Sequence, residues 1–227
     1  MVASDQAMVA SGPVRSWSCA PPAVEVARLL RVHKYTDPTK VRPVIVEAAD
    51  KAVREASALC QPDARYVVVD IESLRDGHLR LAGGVSFTCP AFQGHLAGCE
   101  RLVAFVMTLG PRLDAKTMSL VEDVFEPLDA LFLETAGWLT IEAATRRLAA
   151  ELRAGATREG WRMSLRMGPG YDYRLPNGGG RARWDLTQQA ALFQLFAGSA
   201  LPVELLSSCA MMPKMSRSGV FGLGRAM

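Results

Sequence analysis

The chain has 227 residues, 49% of them hydrophobic and 22% charged, with a formal net charge of +3. It is long enough to bury a full core, and its composition is that of an ordinary soluble globular domain. The weak charge, spread over scattered arginines with no block of five or more, argues against nucleic acid as a partner.

No apolar run reaches the length of a membrane span, so no membrane association is expected. Cys19, Cys60, Cys89, Cys99 and Cys209 contain no C-x-x-C pair. Their odd number argues against a disulfide framework and for a reducing compartment. Residues 1–22 hold Asp5 and no sustained apolar segment, so they do not read as a secretion signal and a cytoplasmic location is expected. Rich in Ser, Ala, Gly and Pro, they read as a flexible N-terminal segment, leaving 23–227 as one domain.

Val24, Ala27, Leu29 and Leu30 outline a short helix. Asp37-Pro38 reads as an N-cap and first-turn proline, opening an amphipathic helix with apolar positions from Val41 to Leu59. Tyr66–Ile71 is a β-branched strand, Asp76-Gly77 a turn, and His78–Leu81 a second strand. Val85–Thr88 reads either as a third strand or as the approach to a short helix after Pro90. Leu102–Leu109 is a continuous apolar run closed by Gly110-Pro111, the pattern of a strand buried on both faces.

Pro111 opens a helix to about Val121. A longer helix follows from Pro127 to Arg153, ended by Gly155 and Gly160. Asp185 with Gln188 three residues on has capping-box spacing for a helix to Phe196. Strands near Val203–Leu206 and Ser218–Phe221 close the chain. Strands and helices do not alternate as βαβ units, so the expected fold class is α+β: a single domain with a largely antiparallel twisted sheet packed with helices.

The stretch Ser164-Leu-Arg-Met-Gly-Pro-Gly-Tyr171 stands out. Met163, Leu165 and Met167 alternate with polar residues, predicting a strand that carries Arg166. The strand breaks at Gly168-Pro169-Gly170, where a ligand can approach bare backbone. A guanidinium beside such a turn and the Tyr171 ring can receive a carboxylate in a bidentate pair, with a flat ring against the turn. The same residues also suit a plain surface turn with a solvated arginine.

In order with Trp184–Phe196, Val203–Pro213, Ser216-Arg-Ser-Gly219 and Gly222-Leu-Gly224, this stretch resembles the activation (reactivation) domain of cobalamin-dependent methionine synthase and its free-standing relatives. The resemblance runs from Arg166 to Gly224 and, more faintly, over the helix before it. It implies binding of S-adenosylmethionine and presentation of its methyl group to a cobalamin supplied by a partner. That partner would be a corrinoid protein or a methionine synthase core, with flavodoxin or another reductant giving one electron.

Under the resemblance Arg166 would hold the methionyl carboxylate. The backbone of Gly168 and Gly170 would lie against the nucleoside, with Pro169 setting the turn and Tyr171 packing nearby. Glu142, on the long helix, would answer the amino group or the sulfonium. The cobalt is the nucleophile in such a reaction, so the protein positions groups and needs no catalytic residue of its own. Two departures from the resembled domain leave a second reading open, a module that docks on a corrinoid protein without using the methyl donor. The resembled domain continues past the place of Gly224 with a tyrosine-containing segment, and Asp172–Arg183 is an insertion beside Arg166.

Other motifs carry less. Gly222-Leu-Gly224 lacks the third glycine and following helix of a dinucleotide loop, and Asn177-Gly-Gly-Gly180 lacks the Lys-Ser/Thr of a P-loop. His33, His78 and His95 have no ligand-spaced partners, so no metal site is expected. Asp76-Gly-His78 starts like the Asp-x-His-x-x-Gly signature of cobalamin modules, but Leu81 takes the glycine position.

Overall fold

Residues 12–225 are described by a computed structural model. The apolar run becomes β5 (Arg101–Thr108), buried along nearly its whole length and central in an antiparallel sheet. Its neighbours are β2 (Asp63–Arg75) and β11 (Ser216–Arg225). Outward from β2 lie β3 (His78–Leu81) and β4 (Ser86–Thr88), and outward from β11 lies β6 (Trp161–Met163). β1 (Arg15–Ser18) shares the β3 side of β2, pairing with Asp63–Tyr66.

Both faces of β5 are covered, which is why it reads as unbroken apolar sequence. Val103, Phe105 and Met107 enter one core; Leu102, Ala104 and Val106 enter another. The first core is roofed by α1 (Val26–Val32), α2 (Pro43–Leu59), α4 (Arg112–Glu122) and α5 (Pro127–Arg158). On α2 the contact stripe is Ile45, Ala48, Ala49, Ala52 and Ala56, small residues that allow close approach to α5. The second core is covered by α3 (Phe92–His95), α6 (Gln189–Gln194) and the irregular chain around Trp184, whose ring packs edge-on to Phe87 and Phe92. The α+β, antiparallel expectation holds.

Several boundaries differ from the sequence reading. Within the segment expected to be flexible, Arg15–Ser18 is a paired strand and Trp17 donates to Glu151 at 2.7 Å; residues 1–11 lie outside the described residues. Helix α2 starts at Pro43, not Pro38, because a residue before proline is pushed to extended backbone and Arg42 takes ψ 139°. Asp37 instead caps the short 3₁₀ turn Pro38–Lys40 through the Thr39 amide. Helix α5 runs through Gly155 to Arg158, packing outweighing the local cost of a helical glycine.

The insertion is an ordered hairpin, β7 (Asp172–Arg174) on β8 (Arg181–Arg183), closed by an Asp172–Arg183 ion pair at 3.0 Å. Asp185 accepts from the Thr187 amide, but Gln188 does not complete a capping box. Its amide exchanges two hydrogen bonds with the Thr88 backbone, at 2.7 and 2.8 Å, and accepts from the Trp184 indole at 3.2 Å. A long-range partner here outcompetes the local one. Between β9 (Glu204–Leu205) and β10 (Met211–Met212), which pair with each other apart from the main sheet, Cys209 is half-buried at φ 63°.

Candidate functional site

The strand expected to carry Arg166 ends at Met163. Ser164 still pairs with Gly222, but its hydroxyl, not its carbonyl, accepts the Gly222 amide at 2.9 Å. The chain rejoins β11 at Met167, which exchanges 2.9 and 2.7 Å bonds with Val220. Three residue steps on this segment thus oppose two on β11, a one-residue bulge. The bulge reverses the alternation: Met163 lies in the helix-side core and Met167 in the other. Leu165, which period two would bury, is 74% exposed.

The bulge aims Arg166 along β11. Its Nη1 donates to the Ser218 carbonyl at 3.1 Å, and its guanidinium lies 4.9 Å from the centre of the Tyr171 ring. Two glycines make room for it. A Cβ on Gly168 would stand 2.9 Å from Arg166 Nη1, and one on Gly219 would stand 3.3 Å from that atom and 2.5 Å from the Met167 carbonyl oxygen. Gly168 is itself buried, and Tyr173 Oη holds both its backbone groups, accepting from the amide at 2.6 Å and donating to the carbonyl at 3.0 Å. Burial pushes the Tyr173 phenol up, so it stays a neutral donor. Gly168 therefore shapes the turn through Arg166 and Tyr173, and its polar groups are already satisfied.

Two cavities flank this turn. One, of about 340 Å³, is lined by Pro169, Gly170, Tyr171, Gln189, Met211 and Ser218, among others. Buried Gln189 is fixed there by the Cys209 carbonyl at 3.1 Å and the Ser218 hydroxyl at 2.9 Å. The other, of about 480 Å³, lies between α5 and β11 and is lined by Glu142, Arg146, Arg153, Leu165, Arg166 and Phe221, with Arg217 shared by both cavities. Volumes of this size suit a small ligand.

Sequence reasoning placed Arg166, Gly168, Pro169, Gly170, Tyr171 and Glu142 on one site, and the structure gathers all of them but Gly168 around these cavities. Glu142 is not idle: Arg28 at 3.3 Å and Arg146 at 2.8 Å share its carboxylate. A cationic ligand group would meet a carboxylate whose charge two guanidiniums already share. Arg217 was missed. It is half-buried, and its guanidinium is held below its ordinary value, first by burial and then by the neighbouring charge of Arg166. The available signal was its place in Ser216-Arg-Ser-Gly219, one of β11's alternating positions facing α5. Gln189 carried no local signal, because its partners Cys209 and Ser218 arrive from distant sequence, whereas Tyr173 lies only five residues from its partner Gly168 and was passed over.

No protein-family model and no curated protein matches this chain. Among solved structures it is similar to the MetH reactivation domain bound to AdoHcy, at a TM-score of 0.60 over 92% of this chain and 78% of that one, with 14% identity. The chain has the reactivation-domain fold. At that identity the likeness shows the fold alone. Among the described residues no group of His, Cys, Asp and Glu is placed to hold a metal ion, and no helix is long and apolar enough to cross a membrane.

Proposed function

We propose that the chain binds S-adenosylmethionine at the Arg166–Tyr171 turn and serves as a stand-alone reactivation protein. In this role it supports reductive methylation of cob(II)alamin on a separate corrinoid protein or methionine synthase core, the electron coming from flavodoxin or another reductant. The observation that carries this reading is the placement of Arg166 against Tyr171 beside a cavity of nucleoside size, within a reactivation-domain fold. The similar solved domain holds AdoHcy, a ligand with the same adenosyl and amino-acid groups.

In this reading Arg166 receives the carboxylate, and Pro169, Gly170 and Tyr171 form the wall for the nucleoside. The donor supplies an electrophilic methyl group and the partner's cobalt the nucleophile. This chain's residues hold the carboxylate, exclude water at the turn and fix the donor's orientation. The reading puts the protein in methionine biosynthesis as one component of a cytoplasmic methyltransferase system.

A second reading, a module that docks on a corrinoid protein without using the donor, is favoured by one observation. Glu142 is already neutralised by two arginines, so the cleft offers little to a sulfonium. Calorimetric titration with S-adenosylmethionine separates the two. Saturable binding that Arg166→Ala weakens by about 10- to 100-fold, the worth of a charged bidentate contact, supports donor use. No heat at millimolar ligand, with a cobalamin protein still captured, supports the docking module.

A further inference from the structure

Four arginines line the cleft between α5 and β11, against one carboxylate. Arg146 and Arg153 project from one stripe of α5, Arg217 from the facing strand, and Arg166 from the bulge. Glu142 is shared by Arg146 and by Arg28 outside the cleft, so most of the positive charge has no counter-charge in place. Like charges converge this way at a cost, and that cost is recovered when an anion enters. The half-buried Arg217 is the clearest instance: among the described residues its side chain makes no hydrogen bond or ion pair, while Arg166 beside it donates to the Ser218 carbonyl.

The charge is in excess of what the amino-acid end of S-adenosylmethionine calls for. That donor is a net cation with one carboxylate, and one guanidinium fork, Arg166, satisfies it. A phosphoryl group differs in carrying close to two negative charges and three acceptor oxygens spread in space, which suits several forks approaching from different elements. Besides Thr145, the rest of the lining is apolar: Phe221 and Ala149 contribute to it, and the 74%-exposed Leu165 borders it.

We infer that the α5–β11 cleft is a phosphoryl-binding subsite, in which Arg217, Arg153 and Arg146 hold the phosphoryl oxygens of a ligand whose apolar body lies against Leu165 and Phe221. The subsite adjoins the methyl-donor cavity at Gly170 and Tyr171, with Arg166 between them left to the donor's carboxylate, and the inference does not rest on donor binding. Because Arg217 borders both cavities, a phosphoryl group in the cleft would also set the electrostatic potential at the donor's carboxylate.

The test is calorimetry of the full chain with pyrophosphate, with succinate as a dianion of flat carboxylates, and with S-adenosylmethionine titrated separately. Expected are saturable pyrophosphate binding tighter than succinate, weakening by about 10- to 100-fold in Arg217→Gln, and further loss at high salt. The exposed Arg153→Gln should weaken pyrophosphate while leaving S-adenosylmethionine unchanged, and it carries the test should Arg217→Gln fail to fold. No saturable pyrophosphate binding, equal binding of succinate, or wild-type affinity in a folded Arg217→Gln each overturns the inference. Failure of S-adenosylmethionine to bind bears only on the proposed function.

Discussion

Gly219→Ala is the sharpest probe of how the site is built. A methyl group there would stand 2.5 Å from the Met167 carbonyl oxygen, 3.1 Å from Phe105 Cε1 and 3.3 Å from Arg166 Nη1. The nearest obstacle is backbone, and that backbone is held by the paired bonds between Met167 and Val220. Relief requires the bulge to lift off β11, losing one or both bonds, or Phe105 to leave its stacked contact with Phe221 at 5.4 Å. Overpacking costs about 1–3 kcal/mol and each weakened hydrogen bond about 1 kcal/mol. Against this, replacing glycine in a strand gains about 0.5–1 kcal/mol from the unfolded chain. The net is a loss of about 2–4 kcal/mol, or about 5–15 °C in Tm for a domain of this size. The assay is thermal and urea unfolding followed by circular dichroism, with ligand titration of the surviving fold. A Tm within about 1 °C of the parent would refute the account of β11 as a strand that accommodates the bulge only through glycine.

Tyr173→Phe should leave the buried Gly168 amide and carbonyl without partners, lowering stability by about 1–3 kcal/mol and weakening any ligand at the turn; unfolding curves and calorimetry read both effects. Gln188→Ala removes three bonds at the Thr88 backbone and the Trp184 indole, with an expected loss of about 2 kcal/mol and a red shift of tryptophan emission. His33 is held below its ordinary value by burial, and its Nε2 donates to Thr135 Oγ1, whose own proton goes to the Leu131 carbonyl. The unfolded state therefore takes a proton near the usual histidine range before the folded state does, so stability should fall as pH drops below about 6.5. The drop in Tm between pH 7.5 and 5.5 should shrink in His33→Gln. Cys60, pushed up to about 12 by burial and then by Asp114, should react with an aromatic disulfide only as fast as the protein unfolds. Mass spectrometry of timed labelling would show otherwise if it reacted at once.

Hydrophobic periodicity alone determined the helices, the doubly buried strand β5 and the antiparallel α+β arrangement. Those features follow from which faces must leave water, and that information is local. The Gly-Pro-Gly break beside a guanidinium singled out Arg166, Pro169, Gly170 and Tyr171, because it is written in adjacent residues, although the strand expected to carry Arg166 ends at Met163. Tertiary structure decided where pairing crosses long sequence separations. Gln188 left its capping box for the Thr88 backbone, and Ser164 put its hydroxyl into the ladder at Gly222, reversing the faces of Leu165 and Met167. Arg217 shows the same division. Its alternation in β11 was legible, but its place between two cavities and opposite the arginines of α5 arises only when strand and helix pack. Local sequence fixes what a residue can do, while the charge and solvent around it come from neighbours tens of residues away.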